Sequence, residues 1–154
     1  MNKEFIAEFR NTVLQAYAEL QAISVTEAAA KASAEQWSIK ELIGHLLDSA
    51  SNNHQRIVRL QIFEEIEFPY YQQDEFVSVN HYQAQSWEAL LTFWKSYNLH
   101  LVHLVENLDA EKLNHIWHTP DGKRLTLEFI VTDYLKHLRH HLAQVNTKAA
   151  VVIA

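Results

Sequence analysis

Apolar residues recur with a helical period over four long stretches of the chain. In the first, Phe5, Ile6, Phe9, Val13, Tyr17 and Leu20 form one stripe, predicting a core-facing helix from Lys3 to about Ile23. The second stripe is Ile39, Leu42, Ile43, Leu46, Leu47, Ala50, Ile57 and Val58, a helix ending near Phe63 or Glu64. Its start is well marked: Ser38 and Glu41 have capping-box spacing, and Trp37 and Leu42 are placed as a hydrophobic staple. Trp87, Leu90, Leu91, Trp94, Leu101, Leu104 and Leu108 predict a third helix, with Ser86 as N-cap and Glu88 in its first turn. Leu127, Ile130, Val131, Tyr134, Leu138, Leu142 and Val145 predict a fourth, from Leu127 to about Asn146 with Thr126 as its cap.

The connections differ in kind. Residues 24–37 are small and polar, with room for a short helical turn. Residues 65–85, beginning with Phe68-Pro69-Tyr70-Tyr71, read as a long loop, either a lid or an aromatic-anchored surface crossing. Within 114–126, Thr119-Pro120-Asp121-Gly122 separates two short β-prone runs and predicts a small hairpin, because proline presets φ and glycine accepts a positive one. The tail Ala149-Ala150-Val151-Val152-Ile153-Ala154 is small and apolar, suited to packing on the domain or on a partner, or to fraying.

Composition narrows this to one folded domain over 1–154, with 48% hydrophobic and 21% charged residues. Two glycines and two prolines favour long helices over a many-turned β fold. The net charge of -6 and the lack of a basic run argue against nucleic acid as a partner. Without cysteine there is no disulfide and no thiolate ligand or nucleophile. No signal peptide or membrane-length apolar run is visible, so a cytoplasmic protein is expected. The aromatic content and apolar tail make a homodimer the expected assembly.

Ten histidines stand out, and three fall within 137–141. His137 and His141, four apart, share a helix face and can share a metal ion, whereas His140 points about 100° away. A surface pair is the competing reading. The absence of a Glu after His137 rules out the zincin motif. His100 and His103 lie off any polar seam and read as surface residues. A third ligand must come from another helix. On the second helix Glu41, His45, Asp48, Asn52 and Arg56 fall within about 80° of each other, a polar seam bordering the apolar face. That seam favours His45; periodicity leaves His54 as its rival.

Three stretches carry a family resemblance: Trp37-Ser38 with His45-Leu46-Leu47-Asp48-Ser49 through Asn52 and Arg56; Thr119-Pro120-Asp121-Gly122-Lys123 leading to Leu125-Thr126-Leu127-Glu128; and His137 with His140-His141 and Gln144. In this order they resemble the DinB-like family of metal-binding four-helix bundles, most closely its YfiT-type branch of metal-dependent hydrolases. The resemblance covers about two thirds of the chain, and an N-terminal extension of some members is missing. It implies an all-α, up-down four-helix bundle with the hairpin before the last helix. It implies His45, His137 and His141 as ligands of a divalent ion, Ni or Zn, with Asp48, Asn52 and Arg56 as pocket residues. Asp48 would orient a ligand or accept a proton, Asn52 orient substrate or water, and Arg56 anchor an anionic group; a surface carboxylate and a structural ion pair are the plainer readings of the first and last. Gln144 stands where some relatives carry another histidine. The implied activity is hydrolysis of a small-molecule substrate or transfer of a low-molecular-weight thiol to an electrophile. The alternative is a non-catalytic, metal-loaded, stress-related binding protein.

Overall fold

The computed structural model describes the backbone of residues 1–153 and the side chains of 1–145 and 147. Six helices form: α1 (Lys3–Gln21), α2 (Val25–Ala29), α3 (Ile39–Leu60), α4 (Gln73–Val79), α5 (Trp87–Glu106) and α6 (Leu127–Ile153). Three short strands, β1 (Glu65–Glu67), β2 (Ile116–His118) and β3 (Arg124–Thr126), make one small sheet. The apolar tail at 149–154 lies outside the described side chains.

The expected helix starts are built as the capping chemistry requires. The Ser38 hydroxyl accepts the Glu41 N–H, and the Glu41 carboxylate accepts the Ser38 N–H at 2.8 Å. Ser86 and Thr126 accept the N–H groups of Ala89 and Phe129. In the 24–37 connection, Ser24 and Glu27 form a second capping box, which starts α2.

The four long helices α1, α3, α5 and α6 form the bundle. Helix α5 packs on both α1 and α3, and α6 packs on the other side of α3. Neighbours in space are therefore not always neighbours in sequence: α1 packs on α5 and makes little direct contact with α3. Phe9, Ile43, Leu46, Trp94, Leu101 and Leu138 are fully buried in a single apolar core.

The hairpin forms as expected, with Trp117 opposite Leu125 and Gly122 at φ 83° in its turn. It gains a strand the sequence did not announce: β1 pairs in parallel with β2, Ile66 beside Trp117. The stretch 65–85 is accordingly not one loop. It holds β1, α4 and a 3-10 turn at Tyr82–Ala84. This segment is fastened to α3. Ser38 Oγ donates to Gln83 Oε1, Lys40 Nζ donates to the Gln83 and Gln85 carbonyls, and the Tyr82 hydroxyl donates to Asp48 Oδ1 at 2.7 Å. Gly44 permits the crossing, since a Cβ there would fall inside the Tyr82 ring.

Among the described residues, no helix is long and apolar enough to cross a membrane.

Candidate metal centre

His45 sits two turns into α3, where the helix is buried on nearly all sides; its ring is inaccessible to solvent. His137 and His141 project from consecutive turns of α6 toward it. The ring centroids lie 5.4 Å (His45–His137), 4.9 Å (His45–His141) and 4.4 Å (His137–His141) apart. One nitrogen from each of the three lies within 4.8 Å of the others, and among the described residues no other group of three potential ligands converges in this way. His54, the rival, is elsewhere: its Nδ1 meets the Tyr97 hydroxyl at 3.0 Å, and its ring packs on His100. His140 is exposed, as the helical rotation predicts.

Hydrogen bonds orient two of the three rings. His141 Nδ1 lies 2.8 Å from Gln144 Oε1, an acceptor, so Nδ1 carries the proton and Nε2 keeps its lone pair. Gln144 Nε2 in turn donates to His140 Nε2 at 3.1 Å. His137 Nδ1 faces Ser49 Oγ at 3.4 Å. This leaves His137 Nε2 directed at His141 Nε2, 3.0 Å away. Two lone pairs at that distance repel unless a proton or a cation lies between them. His45 is the more telling residue, because both of its ring nitrogens are buried without any hydrogen-bond partner. An orphaned polar group of this kind costs about 1–3 kcal/mol. Three imidazole nitrogens, one orphaned and two facing each other, fit a divalent cation with nitrogen preference.

The electrostatics favour the neutral rings that ligation needs. Burial, with the neighbouring His141 and His137, pulls His45 down to about 3. Burial, with His141 and His140, pulls His137 down to about 4. His141 is lowered by burial, against an upward pull from its Gln144 hydrogen bond.

The remaining residues of the seam diverge. Asp48 turns toward Tyr82 and Asn80, leaving Oδ2 buried without a partner, and burial raises its carboxyl to about 6. Asn52 donates to the Asp48 carbonyl at 2.9 Å. Arg56 lines a cavity of about 330 Å³ together with Ser49, Asn53, Tyr71, Trp117 and His137. Its guanidinium lies 4.0 Å above the Trp117 ring.

Several of these neighbours carry no spacing signal. The Trp37 ring packs 4.9 Å from His45, and Tyr71, in the connection from β1 to α4, lies 6.4 Å from it. Burial pushes the Tyr71 hydroxyl up to about 12. Gln144 and Ser49, which orient the α6 histidines, were legible as members of the two histidine stretches, but their hydrogen bonds to the His141 and His137 rings needed the fold.

Comparison with known proteins places this site in context. YfiT from Bacillus subtilis, a probable metal-dependent hydrolase with an unusual four-helix bundle topology, superposes with a TM-score of 0.83 over 99% of this chain and 90% of its own, at 16% identity. A mycothiol-dependent maleylpyruvate isomerase superposes with a TM-score of 0.68 at 15% identity, over 96% of this chain and 59% of its own. At such identities these likenesses speak for the fold. In sequence, the chain is 26% identical over 109 residues to a protein of Halalkalibacterium halodurans that carries the provisional name of metal-dependent hydrolase. That match covers 71% of this chain and 63% of the relative's length. The family model of the DinB superfamily matches residues 7–145, and the chain belongs to that superfamily.

Proposed function

We propose that this protein is a metal-dependent enzyme in which His45, His137 and His141 hold one divalent ion, nickel or zinc. The observation that carries the reading is the convergence of three imidazoles around His45, whose two nitrogens have no other partner. The ion, when bound, supplies Lewis acidity and lowers the pKa of a water or thiol beside it. The reaction is hydrolysis of a small molecule, or transfer of a low-molecular-weight thiol to an electrophile. The names of the Halalkalibacterium halodurans relative and of YfiT support the first, and that of the mycothiol-dependent isomerase the second.

The chain's own residues do the rest. Gln144 and Ser49 fix the two α6 rings so that each offers Nε2. Trp37 and Tyr71 cover His45 and exclude bulk water. Asp48 positions the 70–85 segment through Tyr82 and Asn80, and its second oxygen, on a carboxyl raised to about 6, is suited to take up a proton near neutral pH. Asn52, half-buried, keeps its amide oxygen for substrate or water. A homodimer belongs to the same reading, supported by the exposed apolar side chains Ile62, Phe63, Val79 and Phe93.

Elemental analysis of untagged protein, combined with a screen of esters, amides and thiol acceptors with bacillithiol, mycothiol or glutathione, tests this. Near-stoichiometric nickel or zinc with turnover of one class is expected. Bound metal without turnover in any class would select the non-catalytic binding protein. Trace metal, and no rise in melting temperature on adding nickel or zinc, would end the metal reading.

A further inference from the structure

Among the described residues two cationic side chains, Lys40 and Arg56, are buried, and they are treated differently. Lys40 serves as a structural clamp, donating to the carbonyls of Gln83 and Gln85. Arg56 is 5% exposed and has no carboxylate partner among the described residues. Two of its five N–H donors are used, one on Asn53 Oδ1 and one on the Pro69 carbonyl, both at a long 3.3 Å. Its Nε is buried and unpartnered. Three more accessible arginines do have carboxylates: Arg10 meets Glu106, Arg124 meets Glu65 and Arg139 meets Glu8, while exposed Arg59 bonds the Gln55 amide oxygen. Arg56, where an uncompensated charge costs most, is thus left without the carboxylate that Arg10, Arg124 and Arg139 have where solvent makes it worth little.

The surroundings of Arg56 hold the guanidinium by its face and leave three of its five N–H donors unused. The Trp117 ring supports one face at 4.0 Å, and Phe68 approaches at 5.5 Å. Trp117 is itself fixed, by its place in β2 and by donation from Nε1 to the Phe68 carbonyl at 2.9 Å. A planar fork held by its face presents its donors sideways, the geometry that carboxylate and phosphate oxygens match. The cavity that Arg56 lines, about 330 Å³, suits a small molecule, and His137 lines the same cavity. Ser49, Asn53 and Tyr71 add neutral polar groups. Asp133 is the carboxylate among the cavity's lining residues; it is exposed, and its repulsion is screened by solvent.

We infer that this cavity binds a small molecule through an anionic group, carboxylate or phosphate, held by Arg56, with the rest of the molecule directed toward His137. The inference gives a substrate class to the site proposed above and rests on that reading for the position of the reacting end. The anion contact itself does not depend on a metal.

Binding of succinate, inorganic phosphate and the neutral succinamide to the full chain tests this, by calorimetry, once after chelator treatment and once after nickel loading. Succinate or phosphate should bind the chelator-treated protein at least about tenfold more tightly than succinamide, as a charge-assisted hydrogen bond implies. Preference for succinate marks a carboxylate substrate, and preference for phosphate a phosphorylated one. Arg56→Met should lose the anion by about tenfold or more, and Arg56→Lys, which keeps the charge without the fork, should fall between. Near-ultraviolet circular dichroism confirms that each variant is folded, and the charged-against-neutral comparison in the unaltered protein stands even if neither variant folds. Binding of neither succinate nor phosphate more tightly than succinamide overturns the inference. So does anion binding that appears only with nickel, is kept by Arg56→Met and is lost in His141→Ala. A chain that takes up no metal yet binds succinate through Arg56 breaks the metal reading and leaves the anion site standing.

Discussion

Two histidine clusters lie on α3, and they teach what makes a ligand set. His45 meets His137 and His141 where His45 is buried with both ring nitrogens unpartnered and the two half-buried α6 rings turn Nε2 toward each other. His54 meets His100 from α5 at a ring distance of 5.1 Å, closer than His45 to His137, yet its Nδ1 is satisfied by the Tyr97 hydroxyl. Proximity of imidazoles is similar in both. The difference is that Tyr97 answers the need of His54 Nδ1, while no hydrogen-bond partner answers either nitrogen of His45.

Removing a ligand should give the largest contrast. His141→Ala or His45→Ala should weaken nickel or zinc binding by more than about a hundredfold, beyond the usual effect of an outer-sphere partner, while His54→Ala leaves it unchanged. Equal losses from His141→Ala and His54→Ala would erase the distinction between the clusters. Gln144→Ala, which frees the His141 ring to turn, should cost about tenfold in affinity by the same titration.

Acid gives a smaller and differently signed test on the metal-free chain. Folded, His45 and His137 protonate at about 3 and about 4, whereas unfolded histidine protonates near ~6.5. Between those limits the unfolded chain holds more protons, so stability falls as pH drops from about 6.5 toward 4. Asp48, raised to about 6, holds a proton in the folded state that the unfolded chain releases above ~3.9, which offsets part of the loss. A net slope on the order of 1 kcal/mol per pH unit is expected in urea unfolding. His45→Ala should flatten it more than His54→Ala. The smallest effect belongs to Tyr97→Phe: about 1 kcal/mol of stability and no change in metal content.

Much of this architecture could be read from the chain. Ser38 with Glu41, Ser86 and Thr126 announced helix starts because capping is local chemistry, and Pro120-Asp121-Gly122 announced the hairpin for the same reason. The β1 strand could not be read, since a three-residue element paired with a strand some fifty residues later has no period of its own. Helix α4 hid in the same way, at seven residues and with Val77 as its buried side chain. At the site, periodicity put Asp48, Asn52 and Arg56 on one seam, but side-chain direction depended on partners it could not supply. Tyr82 drew Asp48 aside, and Asn52 turned back on its own helix, while Ser49 and Asn53 joined Arg56 on the cavity wall. Periodicity alone left His54 as a rival to His45; the seam and the resemblance favoured His45, and the Tyr97 hydroxyl on α5 that engages His54 could not be read from spacing.

His45 and His137 are separated by about ninety residues of chain. In the proposed holoprotein, a shared ion therefore acts as a removable cross-link, closing a loop that contains α4, α5 and the whole sheet. Its grip on the fold is set by the free ion concentration: at a hundred times the dissociation constant it adds about 2.7 kcal/mol to the folded state. The lifetime of the protein would then follow the metal supply of its surroundings, with metal starvation exposing it to unfolding and proteolysis before any loss of catalytic chemistry is felt.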